Sequence, residues 1–186
     1  MAAPPDPGPP DSARLQELMG IALEEATAAL EHGDVPIGAV VARADTGEVL
    51  ARRHNERERL GDPTAHAEML ALRDAATTLG SWRLRGCVLV VTLEPCPMCA
   101  GAALGARLDA VAFGAADPKA GALGSLYHLG ADPRLNHELR VIDGVRGDEG
   151  AELLRSFFAE RRSGPDTTGP DTTGPDTTGE DQGSTL

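Results

Sequence analysis

Two short segments of the chain carry side chains whose types and spacing suit a metal: His66-Ala67-Glu68 and Pro95-Cys96-Pro97-Met98-Cys99. Cys96 and Cys99 stand at i and i+3, so on one helical turn both sulfurs face the same side. The positive end of a helix dipole and a metal both lower a thiol pKa, and only the thiolate is a ligand. One neutral imidazole and two thiolates make three protein ligands. Soft sulfur with imidazole favours zinc, and a catalytic zinc keeps its fourth position for a water. Two thiolates balance the dication, and the water becomes a nucleophile near neutral pH. Glu68, two residues from His66, is read as a non-ligand. A carboxylate beside that water and a leaving amine can take a proton from one and deliver it to the other.

Either segment alone is a weak signal, because structural zinc sites and redox pairs share Cys-x-x-Cys. Together they are specific: each follows a turn, each precedes a helix, and Pro95 directly precedes the first cysteine. A closed structural zinc site would need a fourth ligand. No other cysteine is well placed for it, and none of His32, His54, His128 and His137 has an obvious ligand partner nearby. A thioredoxin-like pair would leave His66 and Glu68 without a purpose. The combination resembles the signature of zinc-dependent nucleobase deaminases. The third cysteine, Cys87, opens the apolar run Cys87-Val-Leu-Val-Val91 and is expected to be a buried, inert thiol.

The elements that must position these residues alternate along the chain. Leu15, Leu18, Met19, Ala22, Ala26, Ala29 and Leu30 recur at helical spacing, with Asp11 or Ser12 as N-cap and Gly33 as the stop. Pro36 to Ala42 reads as a strand, Thr46-Gly47 as a turn, and Val49-Leu50-Ala51 as the start of a hairpin partner. Asp62-Pro63-Thr64 is expected to open a helix that stops near Gly80. Val88 to Leu93 has the continuous apolar character of a strand buried on both faces. A short helix of small residues, Pro97 to Ala106, a strand, Ala110 to Phe113, and a last helix from about Gly150 to Arg162 complete the order. That last helix is expected to gather Leu153, Leu154, Phe157 and Phe158 on one face. Strands alternating with helices predict an α/β sandwich with helices covering a mixed sheet.

With 186 residues, 41% hydrophobic and only 3% aromatic, the chain suits one domain with an aliphatic core. No run approaches the ~20 apolar residues of a membrane span. The start lacks a basic n-region and an apolar h-region, so a cytoplasmic, unanchored enzyme is expected. The ends differ from the middle. Residues 1–11 are Pro-rich, and residues 163–186 carry three Gly-Pro-Asp-Thr-Thr repeats with no basic residue. Both segments are expected to be disordered, flanking a single domain at 12–162. All 17 basic residues lie between Arg14 and Arg162, and Lys119 is the single lysine. Seven acids lie outside that stretch, and removing them from the net charge of −12 leaves −5. A chain of that charge can still carry a local basic stripe for a nucleic acid. Arg52, Arg53, Arg57 and Arg59 form one candidate patch.

Further segments accompany the metal motifs: Val35-Pro-Ile-Gly-Ala-Val40, Asp62-Pro-Thr-Ala-His-Ala-Glu68, Thr92-Leu-Glu-Pro-Cys-Pro-Met-Cys-Ala-Gly101, Phe113-Gly-Ala115, Asp117-Pro-Lys-Ala-Gly-Ala122, Gly124-Ser-Leu126 and Asn136-His137. From about Leu15 to Arg162 the chain resembles the bacterial tRNA-specific adenosine deaminases. The zinc segments are common to the wider superfamily, including guanine and cytosine deaminases. The stretch from Asp117 to Leu126 and the Asn-His pair point to the tRNA branch. The resemblance implies the cytidine-deaminase-like fold, a three-layer sandwich of a mixed five-stranded sheet with helices on both faces. It implies one zinc per subunit, a homodimer, and conversion of adenosine to inosine at the wobble position of an arginine tRNA, the partner being the anticodon stem-loop. It also implies that Asn55 contacts the target nucleoside and that Asp117 and Lys119 lie on a loop holding the anticodon backbone. Asn136, His137, Arg161 and Arg162 would line the RNA surface. Ala116 is apolar where some relatives carry Arg, so the resemblance implies one RNA contact fewer than in those relatives. A free-base enzyme such as a guanine deaminase is the rival reading, and it would need no RNA surface.

Overall fold

A computed structural model describes residues 11–163, and the two terminal segments expected to be disordered lie, apart from Asp11 and Ser163, outside the described residues. The first helix, α1 (Ser12–Ala28), starts where Asp11 Oδ1 accepts the Arg14 N–H at 2.7 Å, so Asp11 is the N-cap. A 3-10 turn (Ala29–His32) continues it, and Gly33 ends it at φ 75°, a left-handed conformation that suits glycine.

Five strands follow: β1 (Gly38–Arg43), β2 (Val49–His54), β3 (Cys87–Leu93), β4 (Ala110–Ala115) and β5 (Arg140–Ile142). They form one sheet in the order β2-β1-β3-β4-β5. β1 is antiparallel to β2 and β3, while β3, β4 and β5 run parallel. The other helices are α2 (Arg57–Leu60), α3 (Ala67–Leu79), α4 (Pro97–Gly105) and α5 (Gly147–Ser163).

Side-chain alternation along the central strands builds two cores, one per sheet face. Val40, Val88 and Val90 pack with Leu15, Leu18, Met19 and Ala22 of α1. Val41, Leu89 and Val91 pack with Ala71 and Leu72 of α3 and with Ala100 and Ala103 of α4. The expected mixed five-stranded sandwich with helices on both faces is therefore the observed architecture. α1 lies so close to β1 that a Cβ at Gly38 would collide with the backbone of Ala22 and Ala26. Among the described residues no helix is long and apolar enough to cross a membrane.

Three features differ from the sequence reading. β5 spans three residues of partial exposure and has no apolar alternation to reveal it. The helix expected from Asp62 begins only at Ala67: Asp62 Oδ1 accepts both the Thr64 N–H and its hydroxyl at 2.7 Å, and His66, just before the helix, is still extended. Asp62-Pro63-Thr64 is thus a side-chain-closed turn, the competing use of a short acid before proline. In α5, Phe157 is buried but Phe158 is 43% exposed, because one helix stripe cannot bury adjacent residues equally.

Candidate metal centre and active site

The same local device presents two of the three expected ligands. His66 is the N-cap of α3 and Cys96 the N-cap of α4, both in extended conformation, and Cys99 follows within the first turn of α4. Pro97 occupies the first turn of α4, where its missing N–H is not needed. Two helix N-termini, and their positive dipole ends, therefore meet at one point.

His66 Nδ1 lies 3.9 Å from Cys96 Sγ and 3.6 Å from Cys99 Sγ. All three donor atoms lie within 4.8 Å of one another. A hydrogen bond from the Cys99 thiol, with help from His66 and the Cys99 N–H, lowers the Cys96 pKa to about 4. The same hydrogen bond and burial hold Cys99 in the thiol form. Cys96 is thus already a thiolate, and a dication in place of the shared proton would stabilise the second.

Glu68, in the first turn of α3, is 4% exposed, and its Oε2 is buried with no hydrogen-bond partner. Burial raises its pKa. A buried carboxylate oxygen without a hydrogen-bond partner is costly unless a ligand meets it. The donor set and this orphaned oxygen together fit a catalytic zinc with a reacting water. Cys87 behaves as expected: it is fully buried, and burial pushes its thiol up to about 11.

The other expected site residues fall in three places. Asn55 is 2% exposed, and its Oδ1 accepts the Ala67 N–H at 2.9 Å, so it caps the helix that carries Glu68. Asp117 and Lys119 share a turn closed by the Lys119 N–H on Asp117 Oδ1 at 2.9 Å. With Val35, Leu93, Phe158 and Arg162 they line a cleft of about 700 Å³. Arg161 turns the other way, donating to the Gly33 carbonyl at 2.6 Å and stacking on Phe157. Asn136 accepts a hydrogen bond from Arg107 at 2.7 Å, and His137 Nε2 donates to the Leu108 carbonyl at 2.6 Å, so both brace the loop after α4.

Most of the arginine patch is already neutralised. Arg52 pairs with Glu24 and Glu25, Arg53 with Asp74, and Arg59 with Glu56. Arg57 makes no ion pair among the described residues and acts electrostatically on His66.

Sequence reasoning missed Glu94. Its carboxylate, 2% exposed, accepts the N–H groups of Asp117, Leu123 and Ser125, each at 3.0 Å, and the Ser125 hydroxyl. Burial works against its charge, but these four donors outweigh it and lower the pKa. Glu94 thereby ties the 117–125 loop to the segment that bears Cys96. A Cβ at Gly121 would collide with the Glu94 carboxyl group, so this loop position is confined to glycine. The available signal was an acid directly before Pro95-Cys96, with a glycine-rich loop downstream.

Residues 12–115 match the family described as the cytidine and deoxycytidylate deaminase zinc-binding region. The tRNA-specific adenosine deaminase of Bacillus subtilis (strain 168) is 50% identical over 141 residues, covering 76% of this chain and 86% of that relative. A solved structure from work on A-to-I editing by tRNA:A34 deaminases at the wobble position of transfer RNA is 44% identical. It covers 74% of this chain and 99% of that one, with a TM-score of 0.71. The guanine deaminase from Nitrosomonas europaea is more distant, 25% identical with a TM-score of 0.61 and 86% coverage of both chains.

Proposed function

The chain belongs to the tRNA-specific adenosine deaminases, within the cytidine and deoxycytidylate deaminase family, and from that premise we propose that it hydrolyses adenosine to inosine at the wobble position of a tRNA anticodon, an arginine tRNA foremost. The protein is a zinc-dependent deaminase, with His66, Cys96 and Cys99 as the residues that would hold one zinc per subunit. Zinc there supplies a Lewis acid that activates a water near neutral pH. The observation that carries the mechanism is the buried, unpartnered Oε2 of Glu68 beside those donors.

Glu68 moves the protons. Its carboxylate takes one from the attacking water and passes it to a ring nitrogen of the adenine as the C6–O bond forms. The second water proton then leaves through the same carboxyl group to the exocyclic nitrogen as the C6–N bond breaks, so water and adenosine become inosine and ammonia. Burial suits this shuttle, because a raised pKa lets the group hold a proton between the two transfers. Asn55 spends its carbonyl on Ala67 N–H, which leaves its amide N–H groups as donors to a purine.

An RNA substrate is supported by the cleft, where Lys119 and Arg162 make no ion pair among the described residues. A hairpin loop has already unstacked part of its sequence, so an anticodon loop offers a base for extrusion at lower cost. Asn136 and His137 would act indirectly, by bracing the loop after α4. We place the deaminase domain at residues 12–162 and the protein in the cytoplasm as a homodimer. Sequencing of tRNA treated with the purified protein tests the reading, since inosine reads as guanosine. Expected is conversion at the wobble adenosine of an arginine tRNA, with a far lower kcat/KM for free adenosine. Equal values, or turnover of guanine, would overturn it.

A further inference from the structure

A second cluster of titratable side chains lies outside the deaminase site. His32 ends the 3-10 turn after α1, His54 ends β2, and Glu56 stands two residues beyond it. Each offers one ligand atom, and the three atoms lie within 4.8 Å of one another. The two imidazole rings are 5.2 Å apart between centroids.

The hydrogen bonds around the rings are informative. His32 Nδ1 is 3.0 Å from Asp34 Oδ2, and His54 Nδ1 is 2.8 Å from Glu25 Oε2. A carboxylate at Nδ1 fixes the proton on that nitrogen and leaves the Nε2 lone pair free, the arrangement that backs metal-bound histidines. His32 Nε2 is buried and has no hydrogen-bond partner. His54 Nε2 faces Glu56 Oε1 at 3.7 Å, lone pair toward lone pair if Nδ1 carries the proton. The backing carboxylates are themselves fixed. Asp34, 1% exposed, accepts the N–H groups of Glu58 and Arg59, and Glu25 is held by Arg52.

We propose that His32, His54 and Glu56 form a second metal site, for a zinc-like divalent transition metal bound through the two Nε2 atoms and the Glu56 carboxylate. A proton on His54 would relieve its contact with Glu56 but leave His32 Nε2 buried and unpartnered. One cation between the three groups satisfies them all. The charges agree: Glu24, Glu25, Asp34 and Glu56 face Arg52 and Arg59, leaving two negative charges in excess, while Arg53 is turned to Asp74. Arg59 occupies Glu56 Oε1, so the ion takes the other oxygen or displaces the guanidinium. Two imidazoles, one carboxylate and a water are a common donor set for zinc, and imidazole also suits nickel and copper. The ion would pin the end of α1 to the strand end next to Asn55.

Cobalt titration of the zinc-free full-length protein separates the two sites. The thiolate site gives sulfur-to-metal charge transfer in the near ultraviolet, whereas a histidine–carboxylate site does not. Wild type is expected to take up about two cobalt ions per chain, one with and one without that band. His32→Gln and Glu56→Gln should each weaken the band-free phase at least about tenfold and leave the charge-transfer phase unchanged, which also shows that the variants are folded. Saturation at one cobalt with the band, or a band-free phase that both variants leave untouched, would overturn the proposal.

Discussion

Replacing Glu94 by Gln keeps the shape of the side chain and removes its charge, which isolates what the carboxylate does for the 117–125 loop. In the native chain Oε1 accepts from Leu123 and Ser125, and Oε2 accepts from Asp117 and the Ser125 hydroxyl. The amide has one acceptor oxygen, best placed toward Leu123 and Ser125. Its NH₂ then faces the Asp117 N–H, donor against donor, while the Ser125 hydroxyl can rotate to accept. One charge-assisted bond worth ~2 kcal/mol is lost, and two more weaken by ~0.5 kcal/mol each, so the cost is about 3 kcal/mol. For a domain of this size that lowers Tm by about 6–12 °C. The pH dependence follows from the lowered pKa. A carboxylate whose folded-state pKa lies below its unfolded value of ~4.3 contributes fully above that value. That contribution disappears as pH falls through the folded pKa. The Tm difference between wild type and Glu94→Gln should therefore hold from neutral pH to about pH 5 and shrink below pH ~4.3. Melting curves across pH, with zinc content measured in parallel, are the assay. A variant that melts within about 1 °C of wild type at pH 7, well inside the calculated shift, or a gap that widens in acid, would refute the reasoning.

Glu68→Gln should retain zinc and lose turnover, and activity within about tenfold of wild type in an inosine assay would remove its role as proton carrier. Cys96→Ala should instead lose the metal and, because zinc binding and folding are coupled, melt at lower temperature. Cys87 should resist alkylation at pH 7 in the folded protein, its thiol being buried with a pKa of about 11; rapid labelling counted by mass spectrometry would contradict this. Deletion after Ser163 removes five negative charges and no positive one. It should leave Tm and zinc content unchanged, while binding to non-cognate RNA tightens slightly at low salt and the difference fades as salt rises.

The cluster of His66, Cys96 and Cys99 was legible in the residues because its parts are local: each motif lies within a few residues at a helix start, and spacing alone brings Cys96 and Cys99 to one side. The central strands were legible for a similar reason, since a strand buried on both faces must be continuously apolar. β5 was not, because three partly exposed residues hold their place by pairing with β4 and not by their own pattern. Asp62-Pro-Thr fits a helix start as well as a turn, and only the side-chain bonds of Asp62 decided between them.

The long-range partnerships belong to the tertiary structure. Nothing near Glu94 in sequence announces donors 23 to 31 residues away. The basic run around Asn55 looked like an RNA surface until folding brought Glu24, Glu25 and Asp74 against it. His32 and His54, unremarkable 22 positions apart in sequence, became neighbours only when the end of α1 came to rest beside the end of β2. Spacing along the chain fixes which side chains share a turn. Which charges cancel, and which buried lone pairs are left wanting a cation, depends on distances that only the packed sheet and helices define.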